Sequence, residues 1–132
     1  MMHICESLRT IRPTGKVVCD VFHGSQVLPR KVRIRKCHYH AIPDELWSPV
    51  SGADAQQLIL KSICYHIEDN ETILDEELVS PLVEGLFNGF ADDVSFFAND
   101  DCISHSIYDV AVIAENANGV VGLVCIEDDQ QP

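Results

Sequence analysis

The chain has 132 residues, 46% of them hydrophobic, and its 9 Lys and Arg against 21 Asp and Glu give a formal net charge of −12 at pH 7. This length suits one domain of residues 1–132, and this apolar content suffices for a core, which argues against disorder and a second domain. The N-terminus lacks the basic start of a secretory signal and no apolar run is long enough to cross a bilayer, so we expect a cytoplasmic protein, in the host cell if a phage encodes it.

The two signs of charge occupy different parts of the chain. Residues 1–40 contain eight of the nine basic residues and only two acidic ones, whereas residues 41–132 contain one basic residue and nineteen acidic ones. Charge asymmetry of this kind informs about partners and association, and not about fold.

The first forty residues have the pattern of three strands, at 3–11, 16–22 and 30–39. The segment 16–22 is rich in β-branched and aromatic residues, which favour strands. In the third segment apolar and basic residues alternate with a period of two, which predicts a half-buried strand with a basic outer face. That face would consist of Lys31, Arg33 and Arg35.

Two helices are predicted in the middle of the chain. Apolar residues at helical spacing follow Ser51 to about residue 67. The sequence from Thr72 to Asp75 has the form of a capping box and predicts a second helix start. Pro81 lies inside the apolar pattern that follows, so the second helix is expected to kink or restart there.

The last third of the chain predicts a hairpin. Residues 94–97 are interpreted as a short edge strand or as an apolar anchor in a loop, and strands at 108–114 and 120–126 flank an Asn-Gly turn. Both arms are apolar at consecutive positions, which is typical of strands covered on both faces. The order is thus β-β-β-α-α-β-β, an α+β domain in which a mainly antiparallel sheet packs on two or three helices. Residues 127–132 are predicted to form a flexible acidic tail.

The cysteines and histidines do not indicate a metal site or a disulfide framework. The six cysteines are widely spaced and include no Cys-x-x-Cys pair. In the segment Cys37-His38-Tyr39-His40 a strand would place the cysteine on the face opposite to both histidines, and two ligands alone hold zinc weakly. We therefore expect no metal and no cofactor.

One short motif indicates a different class of function. The segment Val21-Phe22-His23-Gly24-Ser25 resembles the histidine motif of ADP-ribosyltransferases, in which the histidine and the small hydroxyl residue contact the nicotinamide dinucleotide. The glycine-rich segment that follows in that family is missing, and Val27–Lys31 stands in its place. The resemblance covers five residues and implies an enzyme centred on His23.

Direct nucleic-acid binding is not expected. The basic segment 30–36, with Tyr39 or Trp47 nearby to stack on bases, could grip phosphates. The acidic remainder of the chain would repel them, so we interpret the basic strand as compensating acidic helices within its own domain.

The acidic part of the chain suggests a protein partner. Carboxylates follow one another after residue 68 without a single Lys or Arg, and their mutual repulsion costs stability. Solubility or adaptation to salt would explain them, as would imitation of the negative charge of a nucleic-acid backbone. We predict partner contacts at Asp75, Glu76, Glu77, Asp92, Asp93, Asp100 and Asp101, with Phe96 and Phe97 as apolar anchors.

The leading hypothesis is therefore a non-enzymatic acidic module that docks on a basic, nucleic-acid-binding surface of a partner and inhibits or regulates it. Nucleic-acid mimics, phage counter-defence inhibitors and nuclease immunity proteins are classes that such a module would suit. One alternative is a small enzyme centred on His23, either ADP-ribosyltransferase-like or based on a Cys-His pair. Another is a self-associating protein, such as a homodimer, whose basic strand 30–36 contacts the acidic helices of a second copy.

Overall fold

An antiparallel sheet of five strands lies at the centre of the fold. The computed structural model describes residues 2–129, and of the side chain of Met2 nothing is described. Every pair of neighbouring strands is antiparallel. Across the sheet the strands follow one another as β1 (Lys16–Val21), β5 (Gly119–Glu127), β4 (Asp109–Asn116), β3 (Ser95–Asn99) and β2 (Trp47–Val50).

Helices and loops cover both faces of this sheet. One face packs against α1 (Met2–Ile11), α3 (Gly52–Cys64) and α4 (Glu76–Asn88), and the other packs against α2 (Arg30–Lys36) and the segment that follows it. Each face has its own cluster of buried apolar residues, which explains the consecutive apolar positions of the hairpin. The predicted α+β class is confirmed. Over residues 2–129, none of the helices has the length and apolarity that crossing a membrane requires.

The first predicted strand is a helix. Ile4, Leu8 and Ile11 are spaced by four and three residues, so that a helix brings them to one side, where Leu8 is fully buried. This is the 3.6-residue period of an amphipathic helix, and the prediction of a strand at 3–11 was wrong because that period was overlooked.

The predicted basic strand is also a helix, and its residues do not share one face. Helix α2 begins after Pro29, and within it Arg33 and Ile34 are buried while Lys31 and Arg35 are exposed. Arg and Lys are good helix formers, and the burial of Ile34 beside an exposed Val32 departs from the period of two that a strand would give. Arg33 therefore lies apart from Lys31 and Arg35, which are four residues from each other on the outer side.

The two predicted helices in the middle of the chain are present with changed starts. The Ser51 hydroxyl accepts a hydrogen bond from the backbone N–H of Asp54 and caps α3. At α4 the cap is Asp75, whose carboxylate accepts from the N–H of Glu77, and not Thr72. Helix α4 continues through Pro81 without a restart.

The strands of the last third differ from the prediction in detail. Strand β3 lies between β4 and β2, so it is not at the edge of the sheet. The hairpin turn falls at Ala117-Asn118, one residue earlier than predicted, and Gly119 begins β5 with a φ of +134°. A Cβ atom at Gly119 would lie 2.4 Å from the carbonyl oxygen of Leu28, so glycine is required there by both conformation and space.

Residues 127–129, the described part of the predicted tail, make contacts that a flexible tail would lack. Glu127 belongs to β5, and Asp128 is 6% exposed and pairs with the buried Arg12. The carboxylate of Asp129 accepts a hydrogen bond from the N–H of Gly15 at 2.9 Å. Residues 130–132 of the predicted tail lie outside the described residues.

Candidate functional site

Exposed carboxylates gather at one end of the sheet. Strands β1 and β4 begin at this end and β3 and β5 end there, since Lys16 and Asp109 both pair with Glu127. Helix α3 also ends there, because the N–H of Glu68 in the turn after it donates to Asp128 just beyond β5. Helix α4 begins there as well, because Lys61 near the end of α3 reaches Glu76. Eight carboxylates at this end are exposed and, among the described residues, lie beyond 4 Å of any Lys or Arg nitrogen. We call this set the acidic end: Glu68, Asp69, Glu71, Asp75, Glu77, Asp100, Asp101 and Asp129.

Five of these eight carboxylates are held in place by the chain itself. They accept hydrogen bonds from a backbone N–H or, for Asp100, from the hydroxyl of Ser48. A carboxylate fixed in this way loses little conformational entropy when a partner binds. The five are Asp69, Asp75, Asp100, Asp101 and Asp129.

The cations at the same end leave most of this charge unbalanced. Glu76 accepts hydrogen bonds from the Tyr65 hydroxyl at 2.6 Å and from the Lys61 ammonium at 2.9 Å, and both lower the pKa of its carboxyl. Arg12 is occupied by Asp128. Lys16 is exposed at the start of β1, where it faces Glu127 across the strands.

The structure divides the acidic residues that the sequence singled out. Asp75, Glu76, Glu77, Asp100 and Asp101 lie at one end of the sheet, although Glu76 is engaged by Lys61. The other two acidic residues of that set, at 92 and 93, follow α4 and lie at its opposite end. The thirteen residues of α4 separate the two groups by about 20 Å.

Phe96 and Phe97 are both half-buried, and they lie on opposite faces of β3. Successive side chains of a strand point to opposite faces, and both faces of β3 are covered. The Phe96 ring lies 5.2 Å from that of Phe87 beneath the helices, and the Phe97 ring lies 4.7 Å below the Arg30 guanidinium on the other face. The two rings therefore do not form one joint anchor, and their role as partner contacts stays a prediction.

Four members of the acidic end were missed as site residues. Glu68, Asp69 and Glu71 form a turn after α3 that returns to Asp128, whose carboxylate accepts from the N–H of Glu68 at 3.0 Å. Their acidity is visible in the sequence, but their closeness to the end of β5 results from the tertiary fold. Asp129 was assigned to the tail instead.

His23 borders a cavity, as an enzyme centred on this residue would require. The cavity measures about 350 Å³, near the lower limit of small-molecule sites. Arg9 and Asp20 pair with each other in its wall at 2.6 Å. The cavity is lined by Cys5, Glu6, Arg9, Asp20, Val21, His23 and Gln26.

Cys19, which contacts the cavity-lining Cys5, is not an activated nucleophile. The Sγ atom of Cys5 lies 3.2 Å from that of Cys19, and both side chains are buried. Burial, followed by the hydrogen bond with Cys5, raises the pKa of Cys19, so its thiol stays neutral. Nor are three or more His, Cys, Asp or Glu side chains grouped as metal ligands within residues 2–129.

Comparisons with known proteins identify no family for this chain. No family model matches it, and neither the curated proteins nor the solved structures include a significant match.

Proposed function

We propose that the protein is a non-enzymatic binding module that docks through its acidic end onto a basic, nucleic-acid-binding surface of a partner and inhibits or regulates that partner. The observation that supports this proposal is the set of eight exposed carboxylates without a Lys or Arg partner in the described part of the chain. A nucleic-acid mimic, a counter-defence inhibitor from a phage or an immunity protein against a nuclease would each act in this way. The proposed setting is the cytoplasm.

The dimensions of the acidic end favour a strong local field. The ends of β3 and β5 are separated by two interstrand spacings, or about 10 Å, which is close to the Debye length at physiological ionic strength. Charges at such distances are only partly screened from one another, so their potentials add. A basic groove would therefore be attracted at long range and would associate quickly.

The test is affinity capture with a matched pair of triple variants. Glu68→Gln, Glu71→Gln and Glu77→Gln together remove three charges from the acidic end, at side chains that accept no hydrogen bond from the rest of residues 2–129. Glu84→Gln, Asp92→Asn and Asp93→Asn remove three exposed charges elsewhere. Partners captured from the native host are identified, and their affinity is measured over a salt series and against duplex DNA as a competitor.

We expect the first triple variant to weaken binding about tenfold or more and the second to change it much less. Duplex DNA should compete with the protein, and affinity should fall as salt rises. Equal losses in the two variants would show that the acidic end is not the contact surface. A partner whose binding survives high salt and excess DNA would refute nucleic-acid mimicry.

A small enzyme centred on His23 is the second candidate, and the cavity of about 350 Å³ beside that residue favours it. The side chains in its wall include a thiol, two carboxylates and a guanidinium, which suffice for acid–base chemistry. Release of nicotinamide from NAD, compared between the protein and His23→Ala, tests the ADP-ribosyltransferase-like form of this candidate. The same variant should leave partner capture unchanged if the first proposal holds.

A further inference from the structure

Arg33 is a buried cation whose surroundings supply only part of its hydrogen bonding. The residue is 8% exposed, and its Cζ atom lies 3.6 Å from the centre of the Phe22 ring. Its Nη2 group donates to the carbonyl oxygen of Gln26, while its buried Nε group has no hydrogen-bond partner. A buried polar group without a partner carries a substantial energetic cost.

No carboxylate among the described residues lies within 4 Å of the Arg33 guanidinium. The other buried arginine, Arg12, pairs with Asp128 at 2.5 Å, as is usual for a buried charge. The thiol of Cys37 lies close to Arg33, but burial raises the pKa of Cys37, and a neutral thiol does not balance the charge. Within residues 2–129, the positive charge of Arg33 therefore has no carboxylate counter-ion in contact with it.

Arg33 lies in the wall of a cavity on the outer side of the second core. Lys36 follows Arg33 by three residues on α2 and lines the same cavity, so two positive charges meet there. The volume is about 340 Å³. The cavity is lined by Phe22, Ser25, Gln26, Leu28, Arg33 and Lys36.

We propose that this cavity binds a small phosphate monoester, with the phosphate group on Arg33 and Lys36. A phosphate monoester carries a charge of about −1.5 to −2 at pH 7, which matches two cations better than the single charge of a carboxylate. The hydroxyl of Ser25 and the side-chain amide of Gln26 can donate further hydrogen bonds to its oxygens. Phe22 and Leu28 provide an apolar wall for the organic part of the ligand.

This site is independent of the proposed docking surface. Helix α2 covers the face of the sheet opposite to α3 and α4, and Lys36 and Arg33 are not members of the acidic end. The ligand of this cavity is therefore a small molecule additional to the protein partner, and either proposal can fail without the other.

The test is a thermal-shift titration with inorganic phosphate, ribose 5-phosphate and AMP, followed by calorimetry for the probes that bind. We expect at least one of the two esters to raise the melting temperature saturably. The increase should be lost in Arg33→Met, which keeps an unbranched apolar stem without the charged guanidinium. In Lys36→Gln the apparent affinity for the ester should fall at least tenfold. Lys31→Gln is the matched control, because Lys31 lies on the same helix, is exposed and does not line the cavity.

The second variant and one NMR measurement keep the outcome decisive. Lys36 is exposed, so Lys36→Gln is expected to fold even if Arg33→Met does not. In the unmodified protein, the NMR resonance of the Arg33 Nε–H should shift when the ester is titrated. The proposal is overturned if none of the probes raises the melting temperature saturably. An equal loss in Lys31→Gln and Lys36→Gln overturns it too, and so does binding of inorganic phosphate without either ester.

Discussion

Arg12 and Asp128 form a buried ion pair that joins the segment after α1 to the end of β5. The Nη2 atom of Arg12 lies 2.5 Å from the Asp128 carboxylate, and the two side chains are 1% and 6% exposed. The same carboxylate accepts from the N–H groups of Ile67 and Glu68. It therefore ties together three segments that are distant in sequence, which is why its role was not visible in the predicted acidic tail.

Replacing Asp128 with Asn is expected to destabilise the protein by about 3–5 kcal/mol at neutral pH, because the variant leaves Arg12 as an unpaired buried charge. Burial by itself would raise the pKa of Asp128, but the hydrogen bonds from Arg12 and the two backbone N–H groups outweigh it and lower that pKa. A carboxyl group with a lowered pKa stabilises the folded protein at pH values above its ordinary pKa. This contribution is lost as the pH falls through the lowered pKa.

The measurement is the free energy of unfolding in denaturant, as a function of pH, of the parent protein and of Asp128→Asn. The difference between them should be complete at neutral pH and should shrink only in acid, below about pH 4. Asp129→Asn, at a neighbouring exposed position, should cost much less. A difference that does not change with pH in acid would contradict the assignment of this stability to the ionised carboxylate.

At the scale of elements, local sequence and packing disagree in two places. Helix α4 contains Pro81 at an exposed interior position, where proline removes a hydrogen bond and crowds the preceding turn. The apolar face of the helix, with Val79, Val83 and Leu86 fully buried, holds the helix together nonetheless. The alternating segment 30–36 likewise forms a helix, in which Ile34 is buried in the second core and Val32 is exposed.

Pro81→Ala should stabilise the protein by about 1–3 kcal/mol, since it restores a helical N–H and removes the crowding. The gain is partly offset by the greater freedom of alanine in the unfolded chain. Pro49→Ala is the matched control, because Pro49 lies exposed on the edge strand β2, and there only the effect on the unfolded chain remains. Denaturant unfolding that shows no gain for Pro81→Ala would indicate that α4 is already adapted to the proline.

At the scale of the whole molecule, the net charge of −12 acts against the folded state. Only five of the 21 carboxylates form ion pairs with Lys or Arg in the described part of the chain, at Asp20, Asp44, Glu76, Glu115 and Asp128. The basic residues of the first third compensate acids of later segments in part, as Arg30 does with Glu115 at 2.7 Å. The remaining repulsion is greatest where carboxylates crowd at the acidic end.

The melting temperature is therefore expected to rise with salt, from about 10 mM to about 1 M NaCl, as the Debye length falls from about 30 Å to about 3 Å. The triple variant at Glu68, Glu71 and Glu77 should melt higher than the parent protein at low salt and respond less to added salt. A flat or falling salt profile would show that repulsion does not limit stability. Light scattering over the same series tests self-association through Lys31 and Arg35, which salt should dissociate.

The sequence by itself determined the α+β class, the C-terminal hairpin, strand β1, helix α3 and the excess of acid, because these depend on composition and on long, clear periodicities. It did not determine α1 and α2. Their segments of ten and seven residues are short enough to fit both the period of a helix and that of a strand. Only the tertiary structure separated Asp92 and Asp93 from Asp100 and Asp101, placed Phe96 and Phe97 on opposite faces of β3, and joined Glu68 to the end of β5. The physical reason is that strand order and packing decide which side chains meet, and neither is encoded in local spacing.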